Sequence, residues 1–568
     1  MGRLVDIDST SLEQVRIGAL PVVNRFLTRL GLTNLLEQYV PRDPRATLAY
    51  SDVLLVLLQS LVVERAPVYK IGEWVSGRAA RLLGLAEEEL VALNDDRLGR
   101  ALDALFRADR ASMLTKLMCQ AITIFEISLD ELHNDATTLS MQGAYSSPTG
   151  DSPAAPRVRF GHAKERPDLA QLIWLLTISS DHNVPITYRL ADGNTPEDPT
   201  HIETWKSCCV LSGRTTFLYV SDSKLCNRDA MGYIDSNGGR FLTIMPNTRA
   251  EVGELRRYIA THTVEWTEVA RRSGKRLGDP EEVFCTTPAP SPSSEGYRIV
   301  WIRSSEKVRT DAESRRRSIE KARVALDELD TKLKGPRCRL KDLEAVETAG
   351  RAAVEGAGAS RWVNAVVSRE TVVHHKQQRR GRPGPGTAYV RIEEQRFSVK
   401  ATIADDVVRD DACFDGCWPT MTNDKTMTEA ELFFAMKRQP GVENRHHVLK
   451  GVIDFVPVYL KSNERIDAFA FLAYVAVLLH ALIERELRQA MRERDIGELP
   501  LYPEGRACKA PTAARVIEIL EPLSAYELVA GKEVLKRYDP TLSSLHRQVL
   551  DLLSIPKAAY AADQATAR

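Results

Sequence analysis

The sequence lacks most of the features that would announce a compartment or a cofactor. Its nine cysteines, Cys119, Cys208, Cys209, Cys226, Cys285, Cys338, Cys413, Cys417 and Cys508, show no regular spacing and no paired CxxC module. That excludes a disulfide framework and reads as reduced, cytosolic usage. Cys413 and Cys417 would supply half of a zinc site, but no second close pair completes it. No basic-then-apolar leader opens the chain. The strongly apolar run over residues 469–482 is shorter than a spanning helix and ends at Glu484 and Arg485, so a buried core helix is expected. No repeat recurs at a fixed period. Net charge is absent too, with 77 Lys and Arg against 77 Asp and Glu. A balanced total argues against a uniformly charged surface but leaves room for a basic groove beside acidic faces.

What is present is length and alternating texture. At 568 residues the chain exceeds one ordinary core, and two to four domains are expected. Residues 1–125 read mainly as helices, over 18–36, 51–63, 70–83 and 98–125, with turn-rich pieces such as Pro41-Arg42-Asp43-Pro44 between them. Such a region is suited to DNA binding, although no recognition helix stands out. After residue 122 the segments become short and β-rich. Residues 131–137 read as a strand carrying Asp135, residues 172–178 as a sheet-core strand, and residues 184–190 as a strand ending in the turn Asp192-Gly193-Asn194. A helix over 200–211 and a β-run over 216–222 follow, and that run ends on Asp222. A carboxylate on a strand is expensive to bury without a partner or an ion, and strand ends in α/β sheets commonly present catalytic groups. As alternatives, Asp135 would serve as a turn or cap residue and Asp222 as a helix N-cap.

From residue 248 the texture changes again. Residues 307–334 read as a long charged helix, for which a solvated, ion-paired surface is the default despite Arg315-Arg316-Arg317. The basic stretch 371–386, with Lys376, Arg379, Arg380 and Arg382, is a better candidate for phosphate contact. Residues 389–392 and 396–400 suggest a hairpin, and residues 415–423 a packed turn and strand. Over residues 435–450 a helical period places Glu443, His446, His447 and Lys450 on one side and Val442, Leu449 and Val452 on another. By itself this is either an ion-paired helix or a carboxylate flanked by phosphate-holding cations. Beyond residue 490, amphipathic segments are expected over about 513–537 and 542–554.

Asp135, Asp222 and Glu443 form a series of widely separated acids. Two divalent ions about 4 Å apart need carboxylates that bridge or cap them, and hard oxygen donors favour magnesium or manganese. Asp130, Asp168, Asp192, Asp229 and Asp415 compete for these roles. The order Asn134-Asp135-Ala-Thr137, then Gly161-His-Ala-Lys164-Glu-Arg166-Pro167-Asp168-Leu-Ala-Gln171, then Val-Ser-Asp222, then Asp415-Gly416 through Thr422-Asn423, then Glu443-Asn-Arg445-His-His-Val-Leu-Lys450 resembles a DDE transposase of the IS4 superfamily, closest to its IS1634-type branch. The resemblance runs over roughly residues 5–485.

It implies an α/β chain: an RNase H-like catalytic domain with a helical N-terminal region and a β-rich insertion. The segments are then 1–125 (helical, DNA binding), 126–247 and 401–490 (the two catalytic parts), 248–400 (the insertion) and 491–568 (a helical extension). It also implies Asp135, Asp222 and Glu443 as catalytic residues holding two Mg2+ or Mn2+ ions. They would activate water for strand cleavage and then a 3′-hydroxyl for joining. The family's Tyr, Arg, Glu, Lys signature keeps Glu443 and Lys450, whereas Met436 and Gln439 occupy the first two positions. Arg438 or Arg445 would have to supply the missing guanidinium, and Lys164 and Arg166 are further phosphate-contact candidates. The implied partners are duplex DNA with terminal inverted repeats, target DNA and a second protomer, in a cytoplasmic, nucleoid-associated protein without a membrane. A related metal-dependent nuclease, a DNA-binding remnant and a structural interaction protein are the alternatives.

Overall fold

The computed structural model describes residues 10–142, 155–161, 166–274, 278–335, 338–456, 460–531 and 533–561. The chain is a mixed α/β protein with a helical N-terminal region and a β-sheet-bearing insertion. It divides into two compact units, one formed by residues 1–243 with 435–568 and the other by residues 244–434.

In the first unit the N-terminal helices are shorter than the hydrophobic period suggests, because local breakers intervene. The segment 18–36 splits into Leu20–Arg29 and Leu32–Tyr39 at Gly31, whose φ of 58° suits a residue without Cβ. The segment 98–125 splits into Asp95–Arg107 and Arg110–Phe125, where the Asp109 side chain accepts the Ser112 N–H and starts a new helix. The helix expected over 70–83 becomes Ile71–Val75 and Ala80–Leu83, parted by Gly77 at φ 75°.

Strands frame this unit at both ends. Thr10–Arg16 pairs antiparallel with Ser524–Ala530, which pairs with Glu533–Tyr538. The helix expected over 513–537 therefore ends at Leu520. Pro522 cannot continue it, and the alternating Ala525-Tyr-Glu-Leu-Val529 run favours a strand. The C-terminal segment is thus a helix, a hairpin and the helix Ser544–Leu552 rather than helical throughout.

The site rests on five strands, β1 (Glu131–Met141), β2 (Ala170–Ser179), β3 (Pro185–Asp192), β4 (Leu218–Ser221) and β5 (Arg240–Ile244). Their order is β3-β2-β1-β4-β5, with β2 antiparallel to its two neighbours and β4 parallel to both β1 and β5. The apolar run of β2 is buried almost end to end, as a strand covered on both faces must be. Four helices complete this part: α1 (Thr200–Ser212), α2 (Arg228–Ser236), α3 (Pro440–His447) and α4 (Asn463–Glu493).

Helix α4 is long and apolar enough to cross a membrane, yet its whole apolar window is buried inside the protein. It packs on Tyr50–Val63 and Asp95–Arg107 and on β3. Tyr188 of β3 stacks on Tyr474 of α4 at 4.7 Å and on Trp174 of β2 at 4.8 Å. Each fully buried large side chain on this helix stabilises the unit by about 1.5–3 kcal/mol, which is why the run stays inside.

In the second unit Thr267–Arg272, Glu282–Pro288, Arg298–Ser304 and Cys417–Thr422 pair antiparallel in sequence order. The helix Ser305–Lys334 follows its expected range. Arg315 is buried against Asp415 through two bonds of 2.7 and 2.5 Å, while Arg316 and Arg317 pair with Glu313 on the helix surface. The hairpin expected within 389–400 is instead one strand, Tyr389–Ile403, paired along its length with Val363–Gln377. Nothing between residues 392 and 396 can turn the chain, whereas Gly381, Gly384 and Gly386 lie between the two strands.

Candidate active site

Asp135 sits in the middle of β1, and the period of two puts Thr137 on its face and Asn134 on the other. Asn134 is buried and donates to the Leu176 carbonyl at 3.2 Å and to Thr177 Oγ1 at 3.0 Å. This fixes the register of β1 against β2. On its other side β1 lies beside β4, with Asn134 opposite Ser221. The Ser221 hydroxyl donates to the Asn134 carbonyl at 2.9 Å. Asp222, one residue past the end of β4, therefore arrives next to Asp135. Its Oδ1 accepts the Lys224 N–H at 3.0 Å, so it also caps the turn Ser223–Leu225.

Glu443 comes from α3. The helix expected over 435–450 is broken: Glu429–Arg438 ends, and α3 begins anew at Pro440, whose fixed φ suits a first helical position. After His447 the chain widens into a π-type turn, Val448–Val452, in which Ile453 N–H donates to the Val448 carbonyl five residues back, at 2.8 Å. Glu443 and Lys450 are exposed, Val442 and Leu449 buried. His446 differs from its expected place among the open polar residues. It is buried, with Nδ1 at 3.8 Å from Asp135 Oδ2, because three residues of helix turn it about 60° away from Glu443. Burial, aided by Lys450, pushes its pKa down to about 3, so the ring is neutral.

Three anchors hold α3 against the sheet. At its start Gln439 donates to the Asn134 carbonyl and meets His133 Nδ1, both at 2.9 Å. His133 in turn touches Glu131 at 2.7 Å, and Arg438 grips Glu131 with two bonds of 2.5 and 2.6 Å. Burial alone would raise the Glu131 carboxyl, but His133 and Arg438 hold it down to about 2. In the middle, Gly441 meets the β2–β3 turn so closely that a Cβ there would lie 2.3 Å from Asn183 Oδ1. Arg445 locks onto the same turn, donating to the His182 and Asn183 carbonyls and pairing with Glu484 of α4 at 2.8 Å. His182 and Asn183 both carry positive φ, as a tight hairpin turn requires. At the far end Lys450 Nζ donates to Thr137 Oγ1 at 2.7 Å, on the same face of β1 as Asp135.

The electrostatic result appears at Asp135. Burial raises its pKa most, Asp222 adds to this, Glu197 and Glu443 contribute further, and the Ala136 N–H opposes them; the outcome is about 7. Three carboxylates thus act on Asp135: Asp222 and Glu443 from the sequence series and a third, Glu197, from the loop before α1. Glu197 lies between Pro196 and Asp198 in a loop without periodicity, and nothing local marks it. Among the described residues, no group of three or more His, Cys, Asp or Glu side chains stands arranged to hold an ion.

Residues 12–119 match a family described as "Domain of unknown function (DUF4277)". No curated protein matches the chain by sequence. A solved structure, the cryo-EM structure of piggyBac transposase synaptic complex with hairpin DNA, is similar over 90% of this chain and 82% of that chain, at 9% identity and a TM-score of 0.38. A likeness of that grade leaves the chemistry to the residues themselves.

Four of the competing acids are engaged elsewhere, and Asp229 lies in the first turn of α2. Asp130 pairs with Arg214, whose hydrogen bond together with that of Ser128 lowers its pKa. Asp168 pairs with Arg166 on the surface, Asp192 accepts the Arg157 N–H at 2.8 Å, and Asp415 holds Arg315. Of the cationic candidates, Lys450 reaches the face of Asp135, and Arg438, the last residue of the helix before α3, is held on Glu131. Arg445 is 3% exposed and braces α3 rather than offering a cation to solvent. Arg379, Arg380 and Arg382 belong to the second unit, and Lys164 lies outside the described residues. The residues that sequence reasoning missed are His133, Gln439 in its bracing role, Gly441 and Glu197.

Proposed function

We propose that the first unit carries an RNase H-like phosphodiester-transfer site with Asp135, Asp222 and Glu443 as its catalytic carboxylates, and that the chain is a DNA transposase of the IS4 superfamily, IS1634-type branch. The observation that carries this reading is that Asp222, set beside Asp135 by the register of β1 and β4, and Glu443 both act on the half-buried Asp135 carboxylate. A merely structural acid is neutralised by a partner of opposite sign, as Glu131 and Asp415 are here. Asp135 has instead been placed among like charges, an arrangement expected of a cation site. The strand order β3-β2-β1-β4-β5 supports the fold assignment.

The donors are all hard oxygens, which suits Mg2+ or Mn2+ held by Asp135, Asp222 and Glu443. Two such ions, when bound, supply Lewis acidity toward a phosphate oxygen and toward the attacking and leaving hydroxyls. The chain's own residues position the reaction. Gln439 and Arg445 set α3 on the sheet, the neutral His446 ring fills the space behind Asp135, and Lys450 offers a cation to a phosphate on the face of β1 that bears Asp135. The substrates are the element's terminal inverted repeats and a target duplex, handled by at least two protomers, because two ends must be brought together.

The test is cleavage and joining of terminal-repeat DNA by the full chain with Mg2+ or Mn2+. Asp135→Asn, Asp222→Asn and Glu443→Gln should each abolish both reactions while leaving the fold intact by circular dichroism. Cleavage that persists in all three variants would dismiss this carboxylate site. Cleavage without joining in the parent chain would make it a nuclease.

A further inference from the structure

The second unit holds a feature that the carboxylate site does not use. Val363–Gln377 and Tyr389–Ile403 form a two-stranded ribbon of fifteen paired positions. Only its base is packed. Val363 and Val399 are buried with Ala322, Leu326 and Val354 of the two neighbouring helices, and Phe397 is buried at 9% exposure. Beyond it, from the pair Glu370 and Arg396 to the pair Gln377 and Tyr389, no residue of either strand is buried. At about 3.4 Å per residue this free part extends for roughly 25 Å. An isolated ribbon of that kind is marginally stable in water, and it still exposes Val373, Tyr389 and Val390 at 42%, 50% and 44%.

Charge identifies what would cover it. Residues 374–391 contain Lys376, Arg379, Arg380, Arg382 and Arg391 and no Asp or Glu, in a chain whose total charge is zero. Among the described residues no ion pair or side-chain hydrogen bond engages Lys376, Arg379, Arg380 or Arg382, in contrast to the paired arginines on the helix Ser305–Lys334. Two ribbons of like charge repel, which disfavours a second copy as the partner. A pair of strands about 4.8 Å apart, with its side chains, fits the major groove, about 12 Å wide.

We infer that the free part of this ribbon is a DNA-binding arm that lies in a duplex groove, with Lys376, Arg379, Arg380 and Arg382 on the phosphates and the exposed Val373 and Tyr389, which share one face of the ribbon, against sugars and bases. Such an arm needs no metal.

The test is fluorescence anisotropy of the full chain with a labelled duplex of about three helical turns, in EDTA and over a range of KCl. EDTA silences metal-dependent chemistry, so the outcome does not depend on whether the carboxylates cleave. Combined Arg379→Ala, Arg380→Ala and Arg382→Ala changes lie on an exposed tip and leave the fold alone. They should weaken binding at least tenfold near 100 mM salt and flatten the slope of log K against log salt by up to about 2.7, at about 0.9 per phosphate contact. Replacing residues 374–392 by Asn-Gly, which closes the ribbon at the pair Val373 and Glu393, should flatten it further. Unchanged affinity and slope in both variants would overturn the inference. So would a shortened ribbon that keeps DNA binding but loses self-association in sedimentation, or binding to anionic phosphatidylglycerol vesicles.

Discussion

Replacing Asp135 by Asn should stabilise the protein at alkaline pH, although the same change should destroy activity. In the fold the Asp135 carboxyl ionises near 7, driven there by burial and by Asp222, Glu197 and Glu443, whereas in the unfolded chain it ionises near 3.9. Between those values the folded state keeps a proton that the unfolded chain has lost. Raising the pH through this window therefore removes stability, and above about 7 the loss is complete. Three pKa units at 1.36 kcal/mol each set a ceiling of about 4 kcal/mol. The side chain retains 27% of its exposure, so water screens part of the repulsion and roughly 2–4 kcal/mol is expected. Asn keeps the shape and the acceptor for the Ala136 N–H but carries no charge. Thermal melting followed by circular dichroism at pH 4.5 and pH 8 should show the variant nearly level with the parent in acid and clearly above it in base. Millimolar Mg2+ should raise the parent's melting temperature at pH 8 and the variant's much less, since a ligand stabilises only a state that binds it. A variant no more stable than the parent at pH 8, or equally favoured at both pH values, would refute the clustering of charge at Asp135.

The anchors of α3 give two further expectations. Gly441→Ala should destabilise by about 1–2 kcal/mol even after the gain in helix propensity, because its Cβ would collide with Asn183 Oδ1. Asn183→Gly should restore it, since glycine both clears the space and accepts the φ of 59°; failure of that rescue in denaturant titrations would place the strain elsewhere. Arg445→Met should cost about 3 kcal/mol by taking from the buried Glu484 its closest cation, leaving it the Ala513 N–H at 3.2 Å and a longer contact with Arg488 at 3.5 Å. A second change, Glu484→Gln, should recover most of that loss, and a double-mutant cycle showing no coupling would contradict the pairing.

Particular residues show where a sequence is informative. The run over 216–222 reads as a strand and forms β4, the apolar stretch 469–482 reads as a core helix and lies wholly buried in α4, and residues 307–334 read as a charged helix and form one. These patterns are periodic and local, so the signal sits within a few turns of chain. The breaks were harder. The N-terminal helices divide at Gly31, Gly77 and Asp109, and the segment with Glu443 divides at Pro440, each through a single residue inside a longer periodic pattern. The C-terminal hairpin Ser524–Tyr538 was hidden because its alternation is short and its pairing partner, Thr10–Arg16, lies some five hundred residues earlier in the chain.

The sequence by itself determined the strongly periodic elements, such as β4, α4 and the charged helix Ser305–Lys334, and which acids deserved comparison, because hydrophobic period and the order of Asp135, Asp222 and Glu443 are written along the chain. Tertiary structure alone decided that Glu197 joins them, that His446 turns inward, that Gln439 latches α3 to β1 through His133 and Asn134, and that Arg445 braces a turn. Those outcomes depend on distances between residues separated by tens to hundreds of positions. A pattern with a period of two or 3.6 carries no information at that range, so burial, repulsion and close contact had to be read from the packed chain.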